Sequence, residues 1–206
     1  MDVLWLRKPK CAGTSIRNIL EQHCTLSYEK PGPVSICYAY DIEVGETNVG
    51  LREYQRRYPS FFDQAWKFTV VRNPWDKVIS SWHYCPSTRH RSLRDVLLHP
   101  PGPPKQFSTD SEKLLEQIHD WHHFTRSQFE LGSDENGAFV ADYIVRFEDL
   151  PHSLAPVFET LGIEPPEFPK LNTTPRSHYR EYYTAETRDL VEQLYAKDVE
   201  TFGYAF

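Results

Sequence analysis

The sequence predicts a three-layer α/β domain in which a central, mostly parallel sheet is flanked by helices. Short apolar runs alternate along the chain with segments whose apolar residues recur at helical spacing. The apolar runs are continuous, which is typical of strands buried on both faces of a parallel sheet. The chain has 206 residues and no internal repeat, enough for one domain with a substantial core, so we expect a single domain over residues 1–206.

The first half of the chain begins with a strand and a helix joined by a glycine-containing loop. Val3–Leu6 is a short apolar run that suits a central strand. After the loop, four residues follow the i, i+3, i+4, i+7 spacing of a helical stripe: Ile16, Ile19, Leu20 and His23. Residues 34–38 are a possible strand, and Leu51–Tyr58 predicts a short charged helix that ends near Pro59.

A second strand that leads into a helix is the clearest signal in the chain. Phe68–Val71 is rich in β-branched residues and runs directly into Arg72. Asn73 then suits an N-cap, Pro74 suits the first helical position and Asp76 suits the first turn.

The polar second half of the chain predicts further elements, bounded by turn and cap residues. They are a helix over Ser92–Leu98, a proline-rich loop over 99–104, a helix over 111–129, a turn over Asp134–Gly137, a strand over Tyr143–Phe147 and a helix over Ser153–Leu161. The last helix is expected to begin after Thr184 as its N-cap and to end at Gly203.

The bulk composition excludes some classes of protein. A net charge of −6 with His neutral argues against a general nucleic-acid binder, whose surface is basic. No apolar stretch approaches the ~20 residues of a membrane helix, and no secretory signal is visible, so we expect no membrane association. The four cysteines form no CxxC pair, which predicts free thiols in a reducing compartment and hence a cytoplasmic protein.

The loop after the first strand has the chemistry of an anion site. Lys10 supplies a mobile positive charge, Gly13 lets the backbone bend and approach a ligand, and the segment ends on two hydroxyl residues at a helix start. A Walker A loop is excluded because its Lys follows the last Gly, whereas Lys10 precedes Gly13. The alternative for the loop alone is a capped helix N-terminus with a solvated Lys.

A second anion site is predicted at the end of the second strand. Arg72 lies at the carboxyl end of that strand, the edge at which open α/β sheets bind ligands, and Ser80 follows eight residues later on the helix. The alternative is a structural Arg that pairs with a carboxylate, with Ser80 as a plain surface residue. One ligand with two separated phosphate groups would explain both sites.

These segments resemble the sulfotransferases that use 3′-phosphoadenosine 5′-phosphosulfate (PAPS), and the carbohydrate branch with its heparan 2-O and chondroitin types and bacterial members in particular. Leu6–Ile16 resembles the family's 5′-phosphosulfate-binding loop, and Val70–Ser81 resembles its 3′-phosphate-binding motif. Asp142–Leu150 and Tyr179–Thr184 are similar to later family segments, so the likeness spans nearly the whole chain. It implies one sulfotransferase-like domain with a P-loop-like fold.

The resemblance also implies roles for individual residues. Lys10 would contact the 5′-phosphosulfate and stabilise charge on the bridging oxygen, and Arg72 with Ser80 would hold the 3′-phosphate. The remaining donor-binding residues would be Cys11, Ala12, Gly13, Thr14 and Ser15. The residues over 176–180 match a loop that relatives place over the nucleotide. The reaction implied is sulfuryl transfer to an acceptor hydroxyl on a carbohydrate or small molecule, with adenosine 3′,5′-bisphosphate as the other product.

No residue of this chain matches the general base found in many relatives. Relatives often carry a His about twenty residues before the Arg-Asn-Pro strand, and Asn48 stands at the matching place. Because Asn cannot accept the proton, Glu46 and His83 are the candidates, each with the alternative of an ordinary surface or helix-end residue. The gap leaves open a catalytically impaired nucleotide-binding module of the same fold.

Two further possibilities carry less weight. His119 and His123 are spaced as a helical ligand pair, but no third ligand is apparent, so no metal is expected. A small P-loop kinase would need Ser or Thr directly after its Lys, where this chain has Cys11. The sequence does not predict the oligomeric state.

Overall fold

The computed structural model describes residues 1–28, 30–38, 50–102, 120–124, 127–168 and 176–206. The chain forms two compact units. The first unit comprises Met1–Arg72 with Gln128–Thr173, and the second unit comprises Asn73–Ser127 with Thr174–Phe206. Such units need not fold independently, so the expected single domain over residues 1–206 stays a prediction.

The first unit is built on a five-stranded sheet whose neighbouring strands are all parallel. Its strands are β1 Val3–Arg7, β2 Leu26–Tyr28, β3 Val34–Tyr38, β4 Trp66–Val71 and β5 Tyr143–Arg146. They lie side by side in the order β2-β3-β1-β4-β5. The parallel sheet is therefore confirmed, and it includes one strand, β2, that the sequence did not indicate.

Helices occur in both units. Those with both ends in the described ranges are α1 Gly13–His23, α2 Leu51–Arg57, α3 Pro59–Gln64, α4 Pro74–Tyr84, α5 Leu93–Leu98, α6 Ala155–Leu161, α7 Ala185–Leu194 and α8 Ala196–Phe202. Short 3₁₀ helices are formed by Glu130–Gly132, Phe147–Asp149, His152–Leu154 and Tyr179–Tyr182. Residues 120–124 are also helical.

The core of the first unit lies on both faces of the sheet, because successive strand residues point to opposite sides. Val3 and Trp5 of β1 pack with residues of α1 and α6 on one face. Leu4 and Leu6 pack with residues of α2 and α3 on the other. Trp5 is stacked on Phe68 of β4 with ring centroids 5.9 Å apart. Helices thus flank the sheet on both sides, which confirms the three-layer α/β fold.

The second unit packs α4, α5 and α7 around its own apolar cluster. The buried members are Trp75, Val78, Ile79, Cys85, Leu93, Val96, Leu97, Phe124, Val191 and Tyr195. Asn73 caps α4 as predicted, since its side chain accepts from the N–H groups of Trp75 (3.0 Å) and Asp76 (3.4 Å). Pro74 takes the first helical position, and Ser92 caps α5.

Most predicted elements are confirmed to within two residues at each end, and three predictions need correction. Pro59 was expected only to follow a helix end, but it also begins α3, because its fixed φ suits the first helical position. The last helix was expected to be continuous, but it divides at Tyr195 into α7 and α8. Thr184 and Gly203 bound the pair as predicted. The helix predicted over 111–129 is confirmed at 120–124, but it ends earlier than predicted, because residues 127–129 are described and are not helical.

Candidate active site

The strand order of the first unit changes direction between β1 and β4. After β1 the chain passes through α1 to β2 at one edge of the sheet, whereas after β4 it continues to β5 at the other edge. The two strands are neighbours, and connections that leave them in opposite directions form a topological switch point. In open α/β sheets ligands bind outside the carboxyl ends of the strands at such a point. Both predicted anion-binding segments follow these two strands.

The structure brings the two segments into contact. The Arg72 guanidinium donates through Nη1 to the backbone carbonyl oxygen of Lys10, at 2.8 Å. It also lies over the ring of Phe147, with Cζ 3.9 Å from the ring centroid. Arg72 is only 7% exposed. Its orientation is therefore held by the ring of Phe147 and by the loop that follows β1.

The loop backbone bends at two residues that are not glycine. Lys10 has φ 59° and Ala12 has φ 56°, both in the left-handed region that costs an L-residue about 1–2 kcal/mol. Left-handed residues in a tight turn can direct successive N–H groups into a concavity that binds anions. Ala12 is also the N-cap of α1, and its carbonyl oxygen accepts from Ile16 at 3.1 Å. The first-turn N–H groups of α1 have no acceptor within the helix and suit an anion.

Gly13 does not carry the bend of the loop. We expected it to do so, but it takes the first helical position without a positive φ, so that expectation was wrong. A Cβ at Gly13 would lie 2.5 Å from Nε of Arg7, so the Arg7 side chain packs directly against the loop backbone. The expected close approach of Gly13 to a ligand stays a prediction.

The side chains of the loop divide between inward and outward positions. Cys11 is 1% exposed, and its thiol lies 3.3 Å from the carbonyl oxygen of Pro9. Ser15 is also buried, whereas Thr14 is exposed and Lys10 is partly exposed. Of the polar side chains of the loop, those of Lys10 and Thr14 are thus accessible.

Lys8 is a basic residue of this region to which sequence reasoning gave no role. It is 3% exposed, and its ammonium group donates to the hydroxyl of Thr69 and lies 5.2 Å from the ring centroid of Phe139. The Thr69 hydroxyl donates in turn to the carbonyl oxygen of Leu6 at 2.7 Å. Three basic residues, Arg7, Lys8 and Lys10, therefore surround the start of the loop. The only indication of this cluster in the sequence was the close spacing of the three basic residues.

Gln128 is a second residue that sequence reasoning missed. It is fully buried, and its side-chain amide makes two hydrogen bonds to the backbone of Arg72. Nothing in the sequence around 128 distinguishes it from a surface glutamine after a helix.

The second unit holds the remaining predicted residues that the structure describes. Ser80 is partly exposed on α4. One turn earlier, Asp76 forms an ion pair with Arg176, and both side chains are 15% exposed. Arg176 belongs to the segment that the resemblance places over the nucleotide. In this structure its side chain pairs with Asp76 in the first turn of α4. The ion pair ties Arg176 to the helix that carries Ser80.

His83 lies near the end of α4 in an aromatic environment. Its ring is 5.2 Å from that of Tyr182 and nearly perpendicular to it. Burial, followed by the positive charge of Arg176, lowers the pKa of His83. Its Nε2 is enclosed and has no hydrogen-bond partner among the residues described. The lowered pKa favours the neutral form of the imidazole.

The other predicted positions lie outside the described residues. They are Glu46, Asn48 and His119. In the described ranges no group of three or more His, Cys, Asp or Glu side chains could hold a metal ion. Among those same ranges no helix combines the length and apolarity needed to cross a bilayer. None of the four cysteines, all of them in described positions, forms a disulfide.

Comparison with known proteins names the family. The model of the sulfotransferase family matches residues 2–205, nearly the full length of the chain. No curated protein matches the sequence. The family match covers both segments at the carboxyl ends of β1 and β4. The chain therefore belongs to the sulfotransferase family, a family of PAPS-dependent enzymes.

Proposed function

We propose that this protein transfers a sulfuryl group from PAPS to an acceptor hydroxyl. The observation that carries the proposal is the 2.8 Å contact between the Arg72 guanidinium and the Lys10 carbonyl oxygen, which joins two anion-binding segments at the switch point of the sheet. A donor with phosphate groups at its 5′ and 3′ positions suits such a pair of segments. Family membership supports sulfuryl transfer in general.

Each segment is assigned one end of the donor. The 5′-phosphosulfate is proposed to bind the loop from Lys10 to Ser15, where left-handed residues and the first turn of α1 present backbone N–H groups. The 3′-phosphate is proposed to bind Arg72, whose planar guanidinium favours phosphate oxygens. Ser80 is assigned to the same phosphate from its place eight residues after Arg72 in the family motif.

The chemistry is an in-line displacement at sulfur. The acceptor oxygen forms a bond to sulfur while the bond from sulfur to the bridging phosphate oxygen breaks. The acceptor proton passes to a base, and adenosine 3′,5′-bisphosphate leaves. Lys10 is proposed to stabilise the negative charge that develops on the bridging oxygen, and the loop contributes by orienting the donor.

Two residues are proposed as the base. His83 is favoured because its lowered pKa keeps the imidazole neutral, as a proton acceptor must be near pH 7. An acceptor hydroxyl would have to approach Nδ1, since Nε2 is enclosed. Glu46 is the other candidate, on the strength of its place beside Asn48 in the sequence.

The acceptor is proposed to be a hydroxyl of a carbohydrate or another small molecule, which rests on the resemblance to the carbohydrate branch alone. A cytoplasmic location is supported by four cysteines that form no disulfide, as is usual in reducing compartments.

The role of Lys10 is tested with Lys10→Ala. We expect the rate of bisphosphate release from PAPS in the presence of acceptor to fall about 10²–10³-fold, the usual cost of removing one group that stabilises transition-state charge. The melting temperature should stay close to that of the wild type, because Lys10 is partly exposed. Lys30→Ala, which changes an exposed lysine, is the matched control. A normal rate in Lys10→Ala would show that its assigned role is wrong.

A second candidate function is a nucleotide-binding module without transferase activity. The observation in its favour is Asn48, which stands where relatives often have a catalytic His. Calorimetry with adenosine 3′,5′-bisphosphate, combined with a broad acceptor panel, separates the two. Tight binding without transfer to any acceptor would favour the module.

A further inference from the structure

The buried glutamine at position 128 occupies an unusual place in the backbone network of the first unit. Its Nε2 donates to the carbonyl oxygen of Arg72 at 2.7 Å, and its Oε1 accepts from the Arg72 N–H at 2.8 Å. One side-chain amide therefore satisfies both backbone groups of a single residue. The Gln128 side chain is fully buried, and in the interior a polar group without a hydrogen bond is costly.

The hydrogen bonds from Gln128 continue the pairing of backbone groups beyond the last paired residue of β4. The ladder between β4 and β1 stops at Thr69, and the ladder between β4 and β5 stops at Val71. Arg72 comes next, after the last residue of both ladders. The amide of Gln128 pairs with its backbone, as one residue of a neighbouring strand would. It fixes the peptide planes on both sides of Arg72, and so the direction in which the guanidinium leaves the backbone.

The same amide also reaches the phosphate loop. Its Oε1 accepts from the thiol of Cys11 at 3.4 Å, in addition to the N–H of Arg72. With the bond from Arg72 to the Lys10 carbonyl oxygen, these contacts close a ring of three segments: the loop after β1, the residue after β4, and Gln128. Moving either anion-binding segment would break at least one buried hydrogen bond.

We propose that Gln128 is a positioning residue that fixes the spacing between the 5′- and 3′-phosphate-binding segments. The inference rests on the proposed function, since it assumes a donor with two phosphate groups. A ligand that bridges two segments gains most when their spacing is set in advance, because otherwise the cost of ordering them is met on binding. Gln128 performs this role without charge, so it adds no repulsion toward the anion.

The test compares two ligands that differ in one phosphate. Kd is measured by calorimetry for adenosine 3′,5′-bisphosphate and for adenosine 5′-phosphate, and their ratio reports how well the two segments act together. Gln128→Met keeps the length of the side chain and removes its hydrogen bonds, the two with the Arg72 backbone and the weaker one from the Cys11 thiol. We expect the preference for the bisphosphate to fall about tenfold, as two lost hydrogen bonds suggest, with less than about a twofold change for the monophosphate.

A control and a second variant separate positioning from general destabilisation. Gln193→Met, on the exposed face of α7, should leave the ratio unchanged. Gln128→Glu removes the donor toward the Arg72 carbonyl oxygen when the new carboxyl group is ionised, and restores one donor and one acceptor when it is protonated. Relative to wild type at the same pH, its bisphosphate preference should recover between pH 8 and pH 5.5. A merely structural defect would show no such recovery.

Each outcome decides the matter. A folded Gln128→Met protein with the wild-type ratio would overturn the inference and leave the proposed function standing, as would an equal fall in Gln193→Met. If Gln128→Met does not fold, the pH response of Gln128→Glu decides, and a flat response overturns the inference. Wild-type protein with no preference for the bisphosphate would contradict the proposed function, and the inference would fall with it.

Discussion

Replacing Arg72 by lysine tests the junction of the two anion-binding segments, because it keeps the charge and removes the planar fork. The lost hydrogen bond to the Lys10 carbonyl oxygen has a charged donor and is worth about 1.5–3 kcal/mol. The lost contact with the ring of Phe147 adds about 0.5–2 kcal/mol. Lysine recovers part of both, so we expect Arg72→Lys to lower the free energy of unfolding by about 2 kcal/mol.

That loss corresponds to a fall in Tm of about 4–8 °C for a chain of this size, measurable by circular dichroism without ligand. In calorimetry the Kd for adenosine 3′,5′-bisphosphate should rise about tenfold, since lysine replaces a bidentate phosphate contact with a single one. Arg56→Lys, in an exposed ion pair with Glu53 on α2, is the control and should change neither quantity. Wild-type Tm and Kd in Arg72→Lys would refute the reasoning.

Two further predictions concern the loop and α4. Glycine adopts the φ of 56° at Ala12 more cheaply, so Ala12→Gly should raise the free energy of unfolding in urea by up to about 1 kcal/mol; a decrease would contradict the strain argument. The pKa of His83 is lower in the folded protein than in the unfolded chain, so its stability contribution is lost as the pH falls. Acidification from pH 7.5 to 5 should therefore destabilise wild type more than His83→Gln, and equal losses in thermal melts would contradict this.

The sheet could be predicted from the sequence wherever its strands are continuous apolar runs. β1 and β4 are such runs, and predicted site residues follow both: Arg72 directly after β4, and Lys10 three residues after the end of β1. β2 could not be predicted because Leu26–Tyr28 is only three residues long and half-buried at the sheet edge, so it lacks an apolar signature.

The position of the loop after β1 was predicted from the sequence, but the residues that carry its bend were not. Composition assigned the bend to Gly13, because glycine adopts positive φ at the lowest cost. The structure instead places positive φ at Lys10 and Ala12, and uses Gly13 to admit the side chain of Arg7. Which residue of a tight loop carries the strain depends on packing from outside the loop, which local sequence does not encode.

Gln128 shows the limit of motif reasoning most clearly. Its partners, Arg72 and Cys11, lie 56 and 117 residues away in the chain, and they are joined only by the fold. Two of its bonds involve backbone groups of Arg72, which no side-chain pattern reveals. The residues expected to touch a ligand could be predicted from their chemistry, whereas the residue that holds them in place could not.

A crystal structure with adenosine 3′,5′-bisphosphate tests the central claim most directly. The proposed function predicts the 5′-phosphate at the loop N–H groups with Lys10 near it, and the 3′-phosphate at Arg72 and Ser80. The side chain that faces the vacant sulfate position would then identify the base. A nucleotide bound elsewhere, or a 3′-phosphate without contact to Arg72, would contradict the assignment of the two segments to one donor.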